Sequence, residues 1–327
     1  MPDAKKKTTT AARPGKNAGK SGRPGGRKPG AVKVKKAGPA EWIGGARLRT
    51  LPLAVAPVLL GTATAYQFDN DEGWHWVRAL LCLAVALALQ IGVNYANDYS
   101  DGIRGTDKNR VGPSRLTGSG AASPRQVLTV ALVFFAMAAL AGIALVVLTQ
   151  LWWLLAVGAV CVAAAWFYTG GKRPYGYMAL GELFVFVFFG LVATAGTMYV
   201  QVGTVSLENW LAAVAIGLIS VAVLVINNTR DIVQDRLAGK KTLSSIVGDR
   251  ASRILFSVLL LVPFAILAFF VLEFVNAGYA YLTLLLAIPA VIIALTAKTA
   301  RELILVLQLT SFTGLAYALL LSWAIAF

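Results

Sequence analysis

Charge is scarce in this chain, and so are the residue types on which soluble catalytic sites are most often built. Only 14% of the 327 residues are charged, 57% are hydrophobic, and the mean hydropathy is +0.69. A soluble domain carries roughly a quarter charged residues, so the balance excludes an ordinary soluble fold and predicts a polytopic membrane protein. There is one histidine, His75, in a short polar segment far from any acidic cluster. That inventory excludes a His-ligated metal centre and a His-based catalytic triad. The two cysteines, Cys82 and Cys161, each lie inside an apolar run and in no ligand spacing, so they read as packing residues.

What charge there is falls unevenly. Residues 1–40 hold twelve Lys and Arg against one acid, Asp3, in a Gly-, Pro- and Ala-rich context almost without apolar residues. Such a segment cannot bury enough surface to fold, which predicts a disordered basic tail over 1–40 ahead of a transmembrane domain over 41–327. The tail lacks the apolar stretch of a signal peptide, so no cleavage is expected. Its charge suits the headgroups of membrane lipids, and no nucleic-acid partner is expected.

Beyond the tail, Trp42 reads as an interfacial anchor, with Arg47 and Arg49 at the membrane edge. Apolar runs then recur near the roughly 20 residues that a crossing helix needs. They predict nine spans, at about 50–67, 76–97, 124–148, 151–169, 179–201, 209–228, 253–275, 278–297 and 302–326. Pro52, Pro57, Pro263 and Pro289 lie inside spans and predict kinks. Fifteen Lys and Arg fall in or beside the loops 98–123, 170–178, 229–252 and 298–301, while the opposite loops hold only Arg78. This asymmetry predicts a multi-pass protein of the cell membrane with a cytoplasmic N-terminus and an outward C-terminus. The expected fold is all-α: nine transmembrane helices in a bundle around a central cavity, open to the cytoplasmic side and to lipid.

Two acidic clusters interrupt the apolar pattern. Asn94, Asn97, Asp98, Asp101, Arg104 and Asp107 follow the run 79–93, and Asn227, Asn228, Arg230, Asp231, Asp235, Lys240 and Lys241 follow the run 211–226. A carboxylate near hydrocarbon costs about 2.5–3.5 kcal/mol, so acids gathered there call for a counter-charge. If helix continues past Asn97, Asp98 and Asp101 share a face about 4.5 Å apart along the axis, and Asp231 and Asp235 share one about 6 Å apart. Such pairs suit Mg²⁺, a hard ion that takes one or two carboxylates and fills its shell with waters and phosphate oxygens. Arg115, Lys172, Lys240 and Lys241 stand among the acids, and acids interleaved with cations imply a polyanion gripped by both. A diphosphate at the mouth of an apolar bundle fits, with a lipid tail between the helices. Such a site ionises an allylic diphosphate by neutralising charge on the leaving group. Phe184, Phe186, Phe188 and Phe189, with Trp166, Phe167 and Tyr168, either hold the allyl cation or face lipid. Glu182 is either a proton-handling group or a helix-to-helix bond. A secondary transporter is the rival from another class, although its acids belong at the midplane rather than at one edge.

The pairs Asn97-Asp98-x-x-Asp101 and Asp231-x-x-x-Asp235, with Tyr168-x-x-x-Lys172 between them, resemble the UbiA-type intramembrane prenyltransferases. The resemblance covers roughly 41–327 and leaves out only the tail. One departure is the third Asp, Asp107, which comes six residues after Asp101 rather than four. With the run from Tyr168 to Tyr177, that feature resembles the menaquinone branch, which acts on 1,4-dihydroxy-2-naphthoate. The resemblance implies nine helices and transfer of a polyprenyl group from a polyprenyl diphosphate to that naphthoate, with loss of its carboxylate. It implies Mg²⁺ or Mn²⁺ held by Asp98, Asp101, Asp107, Asp231 and Asp235, with Tyr168 and Lys172 as further catalytic residues. It implies substrate contacts from Asn94, Asn97, Arg49, Arg115, Asn228, Lys240 and Lys241, with Arg49 toward the acceptor or, on the plainer reading, a snorkelling anchor. Other family acceptors, 4-hydroxybenzoate and haem, remain alternatives.

Overall fold

The computed structural model describes residues 36–69, 75–106 and 115–327. The expectations for the basic tail and for Asp107 lie outside these residues, apart from the tail's last five positions. Among the described residues every regular element is helical, and strand-type pairing is confined to an isolated bridge between Met178 and Lys241. The all-α expectation holds.

A short helix, α1 (Pro39–Gly45), opens the described chain and leads through a single 3₁₀ turn into α2 (Pro52–Phe68), with a 46° bend between the two. Then come α3 (Trp76–Arg104), α4 (Pro124–Thr149) and α5 (Leu154–Phe167). The next crossing is broken into α6 (Gly181–Val185), a π-helical stretch (Phe186–Val192) and α7 (Ala193–Val202). The second half comprises α8 (Leu207–Arg230), the short α9 (Ile232–Leu237) and α10 (Leu243–Val247), and then α11 (Asp249–Glu273), α12 (Leu284–Thr296) and α13 (Ala300–Ala326). Helix starts follow local chemistry: Ser123, Ser206 and Thr299 each cap a helix with a side-chain oxygen.

Seven segments are long and apolar enough to cross a bilayer, among them the whole broken crossing Gly181–Val202 and α12 together with the 3₁₀ stretch Ala277–Thr283 that leads into it; the bent α1–α2 pair makes an eighth. The ninth expected span is α5, which has only 14 residues. At 1.5 Å per residue it is about 21 Å long, short of the ~30 Å hydrocarbon thickness. Gly170 and Gly171 (φ 74°), followed by Pro174, stop it early.

The most enclosed helix is α8, which packs on α2, α11, α13 and the π stretch. Around it lies the main apolar core, including Leu60, Ile216, Ile219, Phe256, Phe270 and Tyr317. A second cluster joins α3 to α4 and to the segment that carries α1, through Tyr95, Leu116, Val127 and Phe135. There the Tyr95 hydroxyl donates to the carbonyl of Trp42 at 2.5 Å. At the opposite end of α3, Arg78 donates to the carbonyls of Val200 and Gln201 at the end of α7.

The π stretch packs backbone to backbone on α8. Gly190 meets Gly217 of α8 so closely that a Cβ at position 190 would sit 2.7 Å from the Gly217 Cα and 2.8 Å from the Ala213 carbonyl. Both neighbours are backbone, so neither can swing aside. Gly190→Ala is therefore expected to cost about 1–3 kcal/mol, the usual range for overpacking. Thermal unfolding in detergent checks this, and an unchanged midpoint would show that the α8 contact tolerates a methyl group.

Candidate active site

The helices enclose a cavity of about 910 Å³ lined from α2, α3, α4, α5, the π stretch, α7 and α8. Most of its wall is apolar. One end is polar, and it collects Arg47, Arg49, Asn94, Asn97, Asp98, Asp101, Arg115, Tyr168, Asn228, Asp231 and Lys240. The two acidic motifs, 130 residues apart in sequence, thus meet at one mouth.

On the first motif, α3 continues past Asn97 to Arg104 and ends at Gly105 (φ 75°). Asp98 and Asp101 therefore share a face as the helical spacing requires, at 3% and 4% exposure. Each oxygen of Asp98 accepts a backbone N–H, from Leu116 and Thr117, both at 2.8 Å. The carboxylate thus ties the loop after α3 to the helix. Asp101 accepts the Tyr177 hydroxyl at 2.6 Å and faces the Arg115 guanidinium at 3.4 Å. Asn97 accepts the Thr169 hydroxyl at 2.6 Å, which ties α3 to the segment after α5. Asn94 donates to the Ala46 carbonyl at 2.9 Å, so it braces the turn that carries Arg47 and Arg49.

On the second motif, Asp231 caps α8 and is clamped in bidentate fashion by Arg230, at 2.8 and 2.6 Å. Asp235 on α9 accepts the Thr242 hydroxyl at 3.3 Å and pairs with Lys240 at 3.5 Å. Burial pushes the Asp235 carboxyl above its usual range, and Lys240 pulls in the opposite sense. Asn228 donates to Glu182 at 3.0 Å, so Glu182 is engaged in a bond between α6 and α8.

Three expected contributors lie apart from the cavity lining. Asp235 is one, set behind the cavity-lining Lys240 and Asp231. Lys172 is exposed: α5 ends at Phe167, and the Gly170–Gly171 turn leaves Lys172 on the loop surface rather than in the cavity wall with Tyr168. Lys241 is also exposed, its backbone taken up by Tyr177 and Ala179. The aromatic stripe divides as well. Phe184, Phe188 and Phe189 line the cavity, while Phe186 lies against Gly217 of α8. A ring ladder runs Tyr168, Tyr175, Phe184, Phe188, with centroid separations of 5.4, 4.1 and 5.9 Å.

Tyr177 and Arg47 are additions that sequence reasoning missed. Arg47 carries a left-handed backbone (φ 55°) and lines the cavity two residues before Arg49. The signal for Tyr177 was an aromatic residue in a Gly- and Pro-rich loop between two spans, which is weak alone.

Among the described residues no three acids, cysteines or histidines converge as a closed metal cage. That donor set still fits a hard divalent ion such as Mg²⁺, which needs few carboxylates and takes phosphate oxygens for the rest. Each Asp98 oxygen accepts a single N–H and keeps a second acceptor site for such an ion.

Comparison with known proteins agrees with this geometry. The model of the UbiA prenyltransferase family matches residues 54–304. The chain is 48% identical over 302 residues to the 1,4-dihydroxy-2-naphthoate octaprenyltransferase of Mycobacterium tuberculosis, covering 88% of this chain and 97% of that one. It is 38% identical over 252 residues to the protein of the same name from Escherichia coli, covering 75% and 81%. In fold it is similar to a UbiA homologue from Archaeoglobus fulgidus bound to GPP and Mg²⁺, with a TM-score of 0.53, 16% identity, and coverage of 86% and 99%. With the family model spanning most of the membrane body and both acidic motifs at one cavity mouth, the chain belongs to the UbiA prenyltransferase family.

Proposed function

We propose that the protein is a divalent-metal-dependent 1,4-dihydroxy-2-naphthoate polyprenyltransferase, which releases diphosphate and carbon dioxide and yields demethylmenaquinol, the reduced form of demethylmenaquinone. One observation carries the reading: two acidic motifs and their cations close the same end of an otherwise apolar cavity. The 48% identity to a naphthoate prenyltransferase, over nearly all of that protein, supports this acceptor over 4-hydroxybenzoate or haem. A transporter reading loses ground because the acids stand at one edge beside abundant cations. The Lys and Arg distribution supports a cell-membrane protein with its N-terminus and both motif loops in the cytoplasm and its C-terminus outside.

In this reading Asp98, Asp101 and Asp231 hold Mg²⁺ or Mn²⁺, with Asp235 acting beside them through Lys240. When bound, the metal neutralises charge on the leaving diphosphate. Arg115, Arg230 and Lys240 grip diphosphate oxygens as charge-assisted donors. The allylic C–O bond breaks with its electron pair going to diphosphate, and the Tyr168–Phe188 ladder offers aromatic faces to the cation left behind. Arg49, with Arg47 beside it in the cavity wall, orients the naphthoate carboxylate in this reading. The ring carbon bearing that carboxylate bonds to the allyl carbon. Carbon dioxide then leaves, and its bonding pair restores the aromatic ring. The apolar wall keeps water from capturing the cation.

Incubation of purified protein with a polyprenyl diphosphate, 1,4-dihydroxy-2-naphthoate and Mg²⁺, followed by product mass analysis, tests the reaction. Prenylated, decarboxylated naphthoate is the expected product. Excess chelator is expected to abolish diphosphate release, and added Mg²⁺ or Mn²⁺ to restore it; full turnover in chelator would refute the metal requirement.

The two ends of the site separate by substitution. Removing a charged donor from a buried substrate group costs about 2–5 kcal/mol. Arg49→Ala is expected to weaken use of the naphthoate while sparing the diphosphate, and Lys240→Ala to do the reverse. Steady-state kinetics with each substrate saturating in turn distinguish the two, and equal impairment of both substrates by both variants would contradict this division.

A further inference from the structure

Tyr177 occupies a position that neither acidic motif explains. The chain after α5 folds back on itself, with the Gly176 N–H donating to the Tyr168 carbonyl at 3.0 Å and a 3₁₀ turn over Tyr175–Tyr177. The next residues meet the second motif: Ala179 donates to the Lys241 carbonyl at 2.7 Å, and Lys241 donates to the Tyr177 carbonyl at 3.2 Å. Ala179 takes a left-handed backbone (φ 56°) to make this join, an uncommon state for a residue with a side chain. The main chain of Tyr177 is thus fixed to the loop that carries Lys240.

Its side chain goes the other way. The phenol donates to Asp101 of the first motif at 2.6 Å, the length of a charge-assisted bond to a carboxylate. Two cations meet its ring: the Arg104 guanidinium at 5.5 Å and the Lys240 ammonium at 5.3 Å from the centroid. Both lie within the reach of a cation–π contact. Arg104 is itself steered by the carbonyls of Thr169 and Gly171. One side chain therefore touches a carboxylate of the first motif, a lysine of the second and an arginine at the end of α3.

We infer that Tyr177 is the positioning residue that couples the two acidic motifs, its hydroxyl aiming the Asp101 carboxylate at the metal–diphosphate and its ring holding Lys240 at the same end. This deepens the prenyltransferase reading and rests on it. Tyr177 is not part of the cavity lining, so it acts through Asp101 and Lys240 rather than on substrate. The outer partners of metal ligands fix ligand orientation, and removing one typically weakens metal affinity on the order of 10- to 100-fold. The hydroxyl and the ring have separable roles. Tyr177→Phe removes the donor to Asp101 and keeps the ring, whereas Tyr177→Leu removes both.

The test is direct binding to the full chain in detergent, with Mn²⁺ followed by electron paramagnetic resonance and inorganic pyrophosphate as the anion. Tyr177→Phe is expected to need on the order of 10- to 100-fold more Mn²⁺ for half-saturation, while pyrophosphate affinity at saturating Mn²⁺ stays unchanged. Tyr177→Leu is expected to weaken both. In an Asp101→Asn background Tyr177→Phe should add no further loss, since the pair acts as one unit. A residue that merely anchored its loop would lower the unfolding midpoint and leave Mn²⁺ affinity of the folded protein alone. Wild-type Mn²⁺ affinity in Tyr177→Phe, or an equal loss in both backgrounds, overturns the coupling. If the wild type binds no Mn²⁺ with pyrophosphate, the metal-dependent reading falls, and the coupling with it.

Discussion

A carboxylate held where an apolar helix ends must be answered by a donor or a cation, because leaving it buried and alone costs more than most single interactions return. Much of the architecture at the cavity mouth follows from that constraint. Four acids are each less than a tenth exposed, and each is answered by a different route. Asp98 takes two main-chain amides, Asp101 a phenol and a guanidinium, Asp231 the guanidinium next to it, and Asp235 a lysine and a hydroxyl. For Asp98 and Asp101 the partners come from other segments, so the same bonds that neutralise them also fold the loops between helices. Function and loop structure share these atoms.

Beneath the mouth, the cavity draws its wall from both apolar clusters: Leu53 belongs to the core around α8, and Phe135 and Tyr95 stiffen the α3–α4 side whose Ala138 and Val146 face inward. The Gly190–Gly217 approach holds the π stretch against α8, and that wider turn accompanies the split in which Phe186 meets α8 while Phe184 and Phe188 face the cavity. π-helical turns inside α-helices recur at functional sites. Here the turn coincides with a close glycine contact and with a division of the wall.

How much of this was legible in the chain alone depends on the range of the interaction. Hydropathy is local and additive, so the crossings and their polar ends were readable, including the continuation of α3 through Asp101. The acid spacing was readable for the same reason, since i and i+3 are neighbours on any helix. Lys172 entered through a family motif in the loop 170–178, and the path of that loop, set by a Gly–Gly turn, is not legible in the motif. Lys240 and Lys241, adjacent in sequence, separate because one joins an ion pair and the other lends its backbone to a bridge with Tyr177 and Ala179. Tyr177 itself was beyond reach. Its partners lie 76 residues before it and 63 after, and no pattern of neighbours encodes such a meeting.

Arg78 carries a further consequence. It is the sole basic residue expected in the loops opposite the site, and its guanidinium is committed to the carbonyls that end α7. That end of the bundle thus offers almost no mobile positive charge to a lipid headgroup, whereas the other end offers many. On the proposed orientation the guanidinium and ammonium groups of the site-side loops never cross the hydrocarbon, whereas the opposite insertion would require each of them to be carried through it. On that proposal the arginines and lysines around the acids do double duty, since they would also set which way the chain faces.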